Sequence, residues 1–175
     1  MTSIAWVGID PGARDTGIVL RFGPLCPRHT VVHNPAWTGE PSTVGAAYVA
    51  EVLAAVDEFV AASTVPVRVA VEGVSKPCPH LGITDPSAIL GAAIVLGAVL
   101  GRWPDAVVVP PGGNGSNLLA LYPSELVTPG ERARGVNRPA GDSNLIRHCR
   151  SGWDVALAAP GVGRRVAALT KAVNR

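Results

Sequence analysis

Ile4-Ala5-Trp6-Val7-Gly8-Ile9-Asp10-Pro11-Gly12, close to the first residue, decides how the rest of the chain is read. An unbroken apolar run ends on Asp10, and Pro11-Gly12 then turns the chain. A run of this length bounded by turn residues reads as a buried strand. It therefore delivers a carboxylate to its own C-terminal edge. Thr16-Gly17-Ile18-Val19-Leu20-Arg21-Phe22 resumes as a second strand, so the pair forms a hairpin.

Working outward, Thr30 to His33 reads as a third, shorter strand. Ser42 or Thr43 can cap a helix through Ala61, with Val49, Val52, Leu53, Val56 and Val60 on one face. Val65 to Val71 is strand-like and runs into Glu72-Gly73. Pro86 and Ser87 open an Ala/Ile/Leu/Val helix to about Leu100, and Ala106 to Val109 is a brief strand closed by Pro110-Pro111-Gly112-Gly113. Ser116 to Leu121 reads as a short helix and Pro123 to Ala140 as a polar, basic loop. Asp142 or Ser143 can cap a final helix to Ala159, and Val162 to Val173 adds another. A hairpin followed by alternating helix and strand predicts an α/β mixed sheet flanked by helices, in one domain over residues 1–175.

Composition agrees. With 47% hydrophobic and 16% charged residues among 175, disorder is excluded and a sizeable core is available. Cys26, Cys78 and Cys149 show no paired spacing, so neither a disulfide framework nor a zinc site is indicated. No basic segment precedes an apolar one at the N-terminus, and the uncharged apolar run Pro86 to Gly101 falls short of the ~20 residues that span a bilayer. A cytoplasmic protein with no membrane partner is expected.

The net charge of +2 is an average over two unlike parts. Residues 1–130 carry six Lys/Arg against ten Asp/Glu, whereas residues 131–175 carry nine against three. Arg132, Arg134, Arg138, Arg147 and Arg150 cluster ahead of the last acid, Asp154. They form either a phosphate-binding surface or a solvated helix face. Lys76, four residues after Glu72, is expected at the mouth of any cleft there, in reach of a bound phosphate. Gly112-Gly113-Asn114-Gly115-Ser116-Asn117 can offer backbone N–H groups to a phosphate or simply turn the chain. Without a Walker lysine, nucleotide binding is not expected.

Three acids stand out by position: Asp10 and Glu72 at strand ends, and Asp154 within Trp153-Asp154-Val155-Ala156-Leu157-Ala158. Each is flanked by apolar residues, and buried carboxylates are costly unless paired or bound to cations. Singly, each has an ordinary reading as a turn, an ion pair or a helix-face charge. If the two strands are neighbours and the last helix crosses their ends, all three converge. An all-oxygen cluster suits Mg²⁺ or Mn²⁺, and two such ions ~4 Å apart support phosphodiester hydrolysis.

Four stretches, Gly8-Ile9-Asp10-Pro11-Gly12 with Thr16-Gly17, Val69-Ala70-Val71-Glu72, Ile89-Leu90-Gly91-Ala92-Ala93-Ile94-Val95, and Asp154-Val155-Ala156-Leu157-Ala158, resemble in order the motifs of RuvC-like Holliday junction resolvases. These belong to the RNase H-like superfamily and include enzymes of bacteriophage type. The resemblance runs from residue 4 to about 159. It implies an RNase H-like fold with a mixed five-stranded sheet, and a Mg²⁺-dependent homodimeric endonuclease that cuts four-way DNA junctions. It makes Asp10, Glu72 and Asp154 the catalytic metal ligands.

Two departures bear on that expectation. The family has Asp or His three residues before the final Asp; here that position is Ser151. His148 lies six residues before Asp154, out of helical phase; a bend at Gly152 or a late helix start brings it to the metal site, and otherwise it is a solvent-facing histidine among arginines. Asp142 is a further ligand candidate, or a helix cap. The aromatic that the family places three residues after the second acid is Ser75 here, which favours broader recognition of branched or flapped DNA. Sugar-kinase and actin-like ATPases share the opening hairpin but need two such lobes, more than 175 residues supply. An RNase H-like nuclease acting on RNA, or a catalytically inactive branched-DNA-binding module, remain the alternatives.

Overall fold

In the computed structural model, which describes residues 3–75, 85–138 and 145–173, the opening run forms β1 (Ala5–Asp10). Strands β2 (Asp15–Phe22) and β3 (Leu25–His33) follow as antiparallel neighbours. Helix α1 (Ala46–Ala61), β4 (Val67–Glu72), α2 (Pro86–Arg102), β5 (Val107–Val109), α3 (Pro129–Ala133) and α4 (Ile146–Val173) complete the order. The sheet runs β3-β2-β1-β4-β5, with β4 parallel to β1 and β5 parallel to β4. This is the mixed five-stranded sheet flanked by helices that the sequence leads one to expect.

Alternation along the strands assigns the two faces. Ala5, Val7 and Ile9 of β1, Ile18 and Leu20 of β2, and Val69 and Val71 of β4 point into the main core. There they meet Val52, Val56 and Phe59 of α1 and Val95 and Val99 of α2. The residues between them face the opposite way, toward α4: Trp6 and Ala70 pack with Val155, Ala156 and Ala159, and Val19 packs with Cys149 and Trp153. By the same parity Asp10 and Glu72 point to the α4 face. Burying both faces of β1 explains why its sequence is continuously apolar rather than alternating.

Several boundaries differ from the sequence reading. Strand β3 begins at Leu25, five residues before the expected start, because its pairing with β2 extends to Phe22 opposite Leu25. Pro41–Thr43 forms a separate 3-10 turn, and α1 begins behind Gly45. Asp85 caps α2, accepting from the Ser87 N–H at 2.9 Å. Only Leu119–Leu121 of the expected short helix forms, as a 3-10 turn. The segment read as a loop after Pro123 holds α3, fixed by a capping box between Thr128 and Glu131 with Pro129 in its first turn. The last two expected helices are one, with Pro160 inside it. Asp142 and Ser143 lie outside the described residues, among which no helix is long and apolar enough to cross a membrane.

Candidate active site

Ile9 stands opposite Val71 in the parallel β1–β4 pair, so Asp10 and Glu72 follow side by side at the carboxyl edge. Burial, reinforced by the charge of Asp10, pushes the Glu72 carboxyl up to about 7. Two neutral donors work against that shift: Ser151 Oγ donates to Glu72 Oε2 at 2.8 Å, and Asn114 Nδ2 donates to Oε1 at 2.9 Å. His148 Nδ1 lies 2.8 Å from Asp10 Oδ2. An ionised carboxylate only accepts, so the imidazole N–H donates. That bond raises the His148 pKa, against the opposing effect of burial.

The helix reaches the carboxylates because three glycines let it lie directly on the sheet. A Cβ on Gly8 would stand 1.9 Å from the Gly152 carbonyl oxygen, and one on Gly17 would stand 2.2 Å from the His148 carbonyl group. No side chain fits at either place without lifting α4. Resting there, α4 presents His148 and Ser151, three residues and one turn apart, to Asp10 and Glu72 respectively. His148, six residues ahead of Asp154, thus reaches Asp10 from the first turn of α4, which begins at Ile146.

Asp154, one turn after Ser151, has donors of its own. Its Oδ2 accepts from Gly115 N at 2.8 Å, Asn117 Nδ2 at 3.0 Å and Tyr122 O–H at 2.7 Å, all from the segment after β5. Burial raises its pKa, and these donors lower it in part. Gly115 has φ +76, and a Cβ there would also press on Arg147 and Ser151, so glycine suits this turn. Adjacent residues of one loop thus serve two of the acids, Asn114 bonding Glu72 and Gly115 bonding Asp154, while Ser151, one turn before Asp154, also bonds Glu72. Among the described residues no group of three or more His, Cys, Asp and Glu side chains is arranged to hold a metal ion.

The 112–117 segment does offer N–H groups to an anion, but the anion is the chain's own carboxylate. Asn114, Asn117, Tyr122 and Ser151 were not singled out by the sequence as carboxylate partners. Asn114 and Asn117 were signalled by an Asn/Gly run at a strand end, and Ser151 by standing where the family has Asp or His.

The arginine cluster divides. Arg150 is a correction: it is 0% exposed, paired with Glu131, bonded through Nε to the Leu126 carbonyl at 2.8 Å, and set over the Tyr122 ring. It staples α4 to α3 and faces no solvent. Arg132 is exposed, yet its guanidinium is tied to the carbonyls of Ser124 and Val127. Arg134 is exposed with Nε on the Gly130 carbonyl, and Arg138 is exposed. Arg147 is half-buried near His148, whose pKa its charge lowers. Lys76 lies outside the described residues.

Sheet order, strand directions and a carboxylate pair at the edges of the first and fourth strands define an RNase H-like fold. No family model and no curated protein matches the sequence. Among solved structures, RuvC of T. thermophilus in complex with Holliday junction substrate superposes with a TM-score of 0.54 at 19% identity, covering 92% of this chain and 96% of that one. A second Thermus thermophilus RuvC structure gives 0.50 at 22% identity with the same coverage. The fold is thus that of RuvC, as the four motifs implied.

Proposed function

We propose that the chain is a divalent-metal-dependent endonuclease acting on branched DNA, four-way junctions above all. The observation that carries this reading is the coupled Asp10–Glu72 pair at the edge of a RuvC-fold sheet, held on both sides by polar side chains of α4 and the 112–117 segment. Two mutually repelling, partly buried carboxylates fit a hard cation better than they fit each other. Mg²⁺ binds through one or two carboxylates, keeps several waters and completes its shell with substrate phosphate, so Asp10 and Glu72 would hold Mg²⁺ or, equally, Mn²⁺. The cation supplies Lewis-acid polarisation of a phosphodiester and a more acidic bound water.

The chain's own residues do the rest. His148 fixes the Asp10 carboxylate through its Nδ1. Ser151 and Asn114 fix both oxygens of Glu72, so the pair keeps its spacing when empty. The residues fit one cation. A second ion would take the Oδ1 of Asp154, since all three donors to that carboxylate reach Oδ2. Hydrolysis is proposed to leave 5′-phosphate and 3′-hydroxyl ends. Exposed Arg134 and Arg138 would add salt-sensitive contacts to the DNA backbone, and Lys76 is proposed to add another.

A homodimer through the exposed face of α2, where Leu90 is 56% and Ile94 41% exposed, would set two such sites on a symmetric junction. The test is incubation of purified protein with labelled four-way, flapped and linear DNA, and with RNA–DNA hybrid, with and without Mg²⁺. Cleavage at the branch supports the reading. Cutting of RNA alone, or junction binding with no cutting in any metal, would replace it with one of the alternatives.

A further inference from the structure

The cleft that holds the carboxylate pair has a wall not used so far. Its volume is about 410 Å³, and Asp10, Glu72 and His148 share its lining with Trp37, Ile89, Ala92 and Arg14. Trp37 is half-buried: it packs against the main core and also lines the cleft. The turn that carries it is pinned. Asn34, 2% exposed, donates through Nδ2 to the carbonyls of Ala13 at 2.9 Å and Thr43 at 3.2 Å, accepts from Ala36 N at 3.1 Å, and its own carbonyl accepts from Trp37 N. One of those bonds reaches the Asp10–Asp15 turn, so the indole and the first carboxylate are held to a common frame. Arg14, with its side chain 69% exposed, stands in the same lining and makes only a long 3.7 Å contact to Asp15.

An indole face, a free-reaching guanidinium and a carboxylate pair in one cleft call for a ligand with a flat ring and phosphates on both sides of it. We propose that Trp37 stacks on an unpaired base adjoining the phosphate held at Asp10 and Glu72, with Arg14 on a neighbouring phosphate. This rests on the nuclease reading above. A base inside a duplex is already stacked on both faces and cannot offer one to a side wall; a base released at a branch can. The cleft therefore selects DNA by the availability of an unstacked base, independently of sequence.

The test is a metal-free fluorescence titration with a four-way junction carrying 2-aminopurine at the branch, and with a continuous duplex of equal length. Wild type and Trp37→Phe, which keeps an aromatic face, are expected to quench the probe and bind the junction alike. Trp37→Leu, which keeps the apolar packing, is expected to lose the quenching and about 5- to 100-fold in junction affinity, the range for one stacked base, with duplex affinity unchanged. Equal junction affinity for Trp37→Leu and wild type, at matched melting temperature, would overturn the proposal. So would equal quenching by both. Because the readout is binding without metal, a wild type that binds and quenches but never cuts refutes the nuclease reading while upholding the stacking site.

Discussion

Removing one half of the Arg150–Glu131 pair should destabilise the fold far more than removing any exposed arginine. Arg150 is fully buried, with NH2 on Glu131, Nε on the Leu126 carbonyl, and NH1 buried without a partner among the described residues. Glu131→Ala leaves that guanidinium with a single bond inside the protein. Breaking a buried pair in this way costs ~3–5 kcal/mol. For a domain of this size each kcal/mol is worth ~2–4 °C, so Tm should fall by roughly 6–20 °C.

Arg150→Met should cost less, ~1–3 kcal/mol. The Glu131 carboxylate left behind still accepts from Thr128 N at 2.9 Å and Thr128 Oγ1 at 2.8 Å. The double variant Glu131→Leu/Arg150→Met should recover most of the loss, because apolar replacement of a whole buried pair is often neutral. Acid supplies a second reading. Burial alone would raise Glu131, but bonds from Thr128 and Arg150 outweigh it and bring its pKa below the ordinary 4.5. A lowered carboxylate stabilises above its unfolded pKa and loses that contribution as pH falls through the folded one. The wild type should therefore lose stability below about pH 4.5, and Arg150→Met should flatten that limb. Thermal melts across pH, paired with DNA affinity against salt, test all of this. An unchanged Tm in Arg150→Met, with a salt slope for DNA binding reduced by ~1, would refute the buried staple and restore Arg150 to the DNA surface.

Three further outcomes follow from the site. Gly17→Ala should lower stability by at least the ~1–3 kcal/mol of overpacking, because the added methyl meets His148 backbone at 2.2 Å; circular-dichroism melts check this, and a wild-type Tm would contradict the seating of α4. The apo-protein should lose stability as pH rises from 4.5 to about 7, where Glu72 sheds its proton in the folded state. Mg²⁺ should accordingly raise Tm more at pH 8 than at pH 5, and equal shifts would argue against Glu72 as a ligand. Tyr122→Phe removes the 2.7 Å donor to Asp154 and should cost ~1–3 kcal/mol, while Mg²⁺-induced stabilisation, read in the same melts, stays as in wild type; its loss would return Asp154 to the metal site.

Much of this was legible in the sequence because alternation and turns are local. The run into Asp10 and the strand into Glu72 place both acids at strand ends, and parity within each strand puts them on one face. What the sequence could not show is contact made at long range. Asp154 sits in a familiar-looking motif, yet its partners are a Gly N–H, an Asn and a Tyr some 30 to 40 residues earlier. His148 appeared out of phase only because its phase was counted from Asp154. Arg150 reads like its exposed neighbours until Glu131 is brought beneath it, although Thr128-Pro129-Gly130-Glu131 carries the capping-box signature that builds α3.

Cleavage of a labelled four-way junction by wild type, Asp10→Asn and Glu72→Gln, in Mg²⁺ and in EDTA, tests the carboxylate pair most directly. Wild type should cut at the branch only with metal, and either substitution should abolish cutting while leaving junction binding within a few-fold. Undiminished cutting by Asp10→Asn or Glu72→Gln, or cutting in EDTA, would contradict a cation held by that pair.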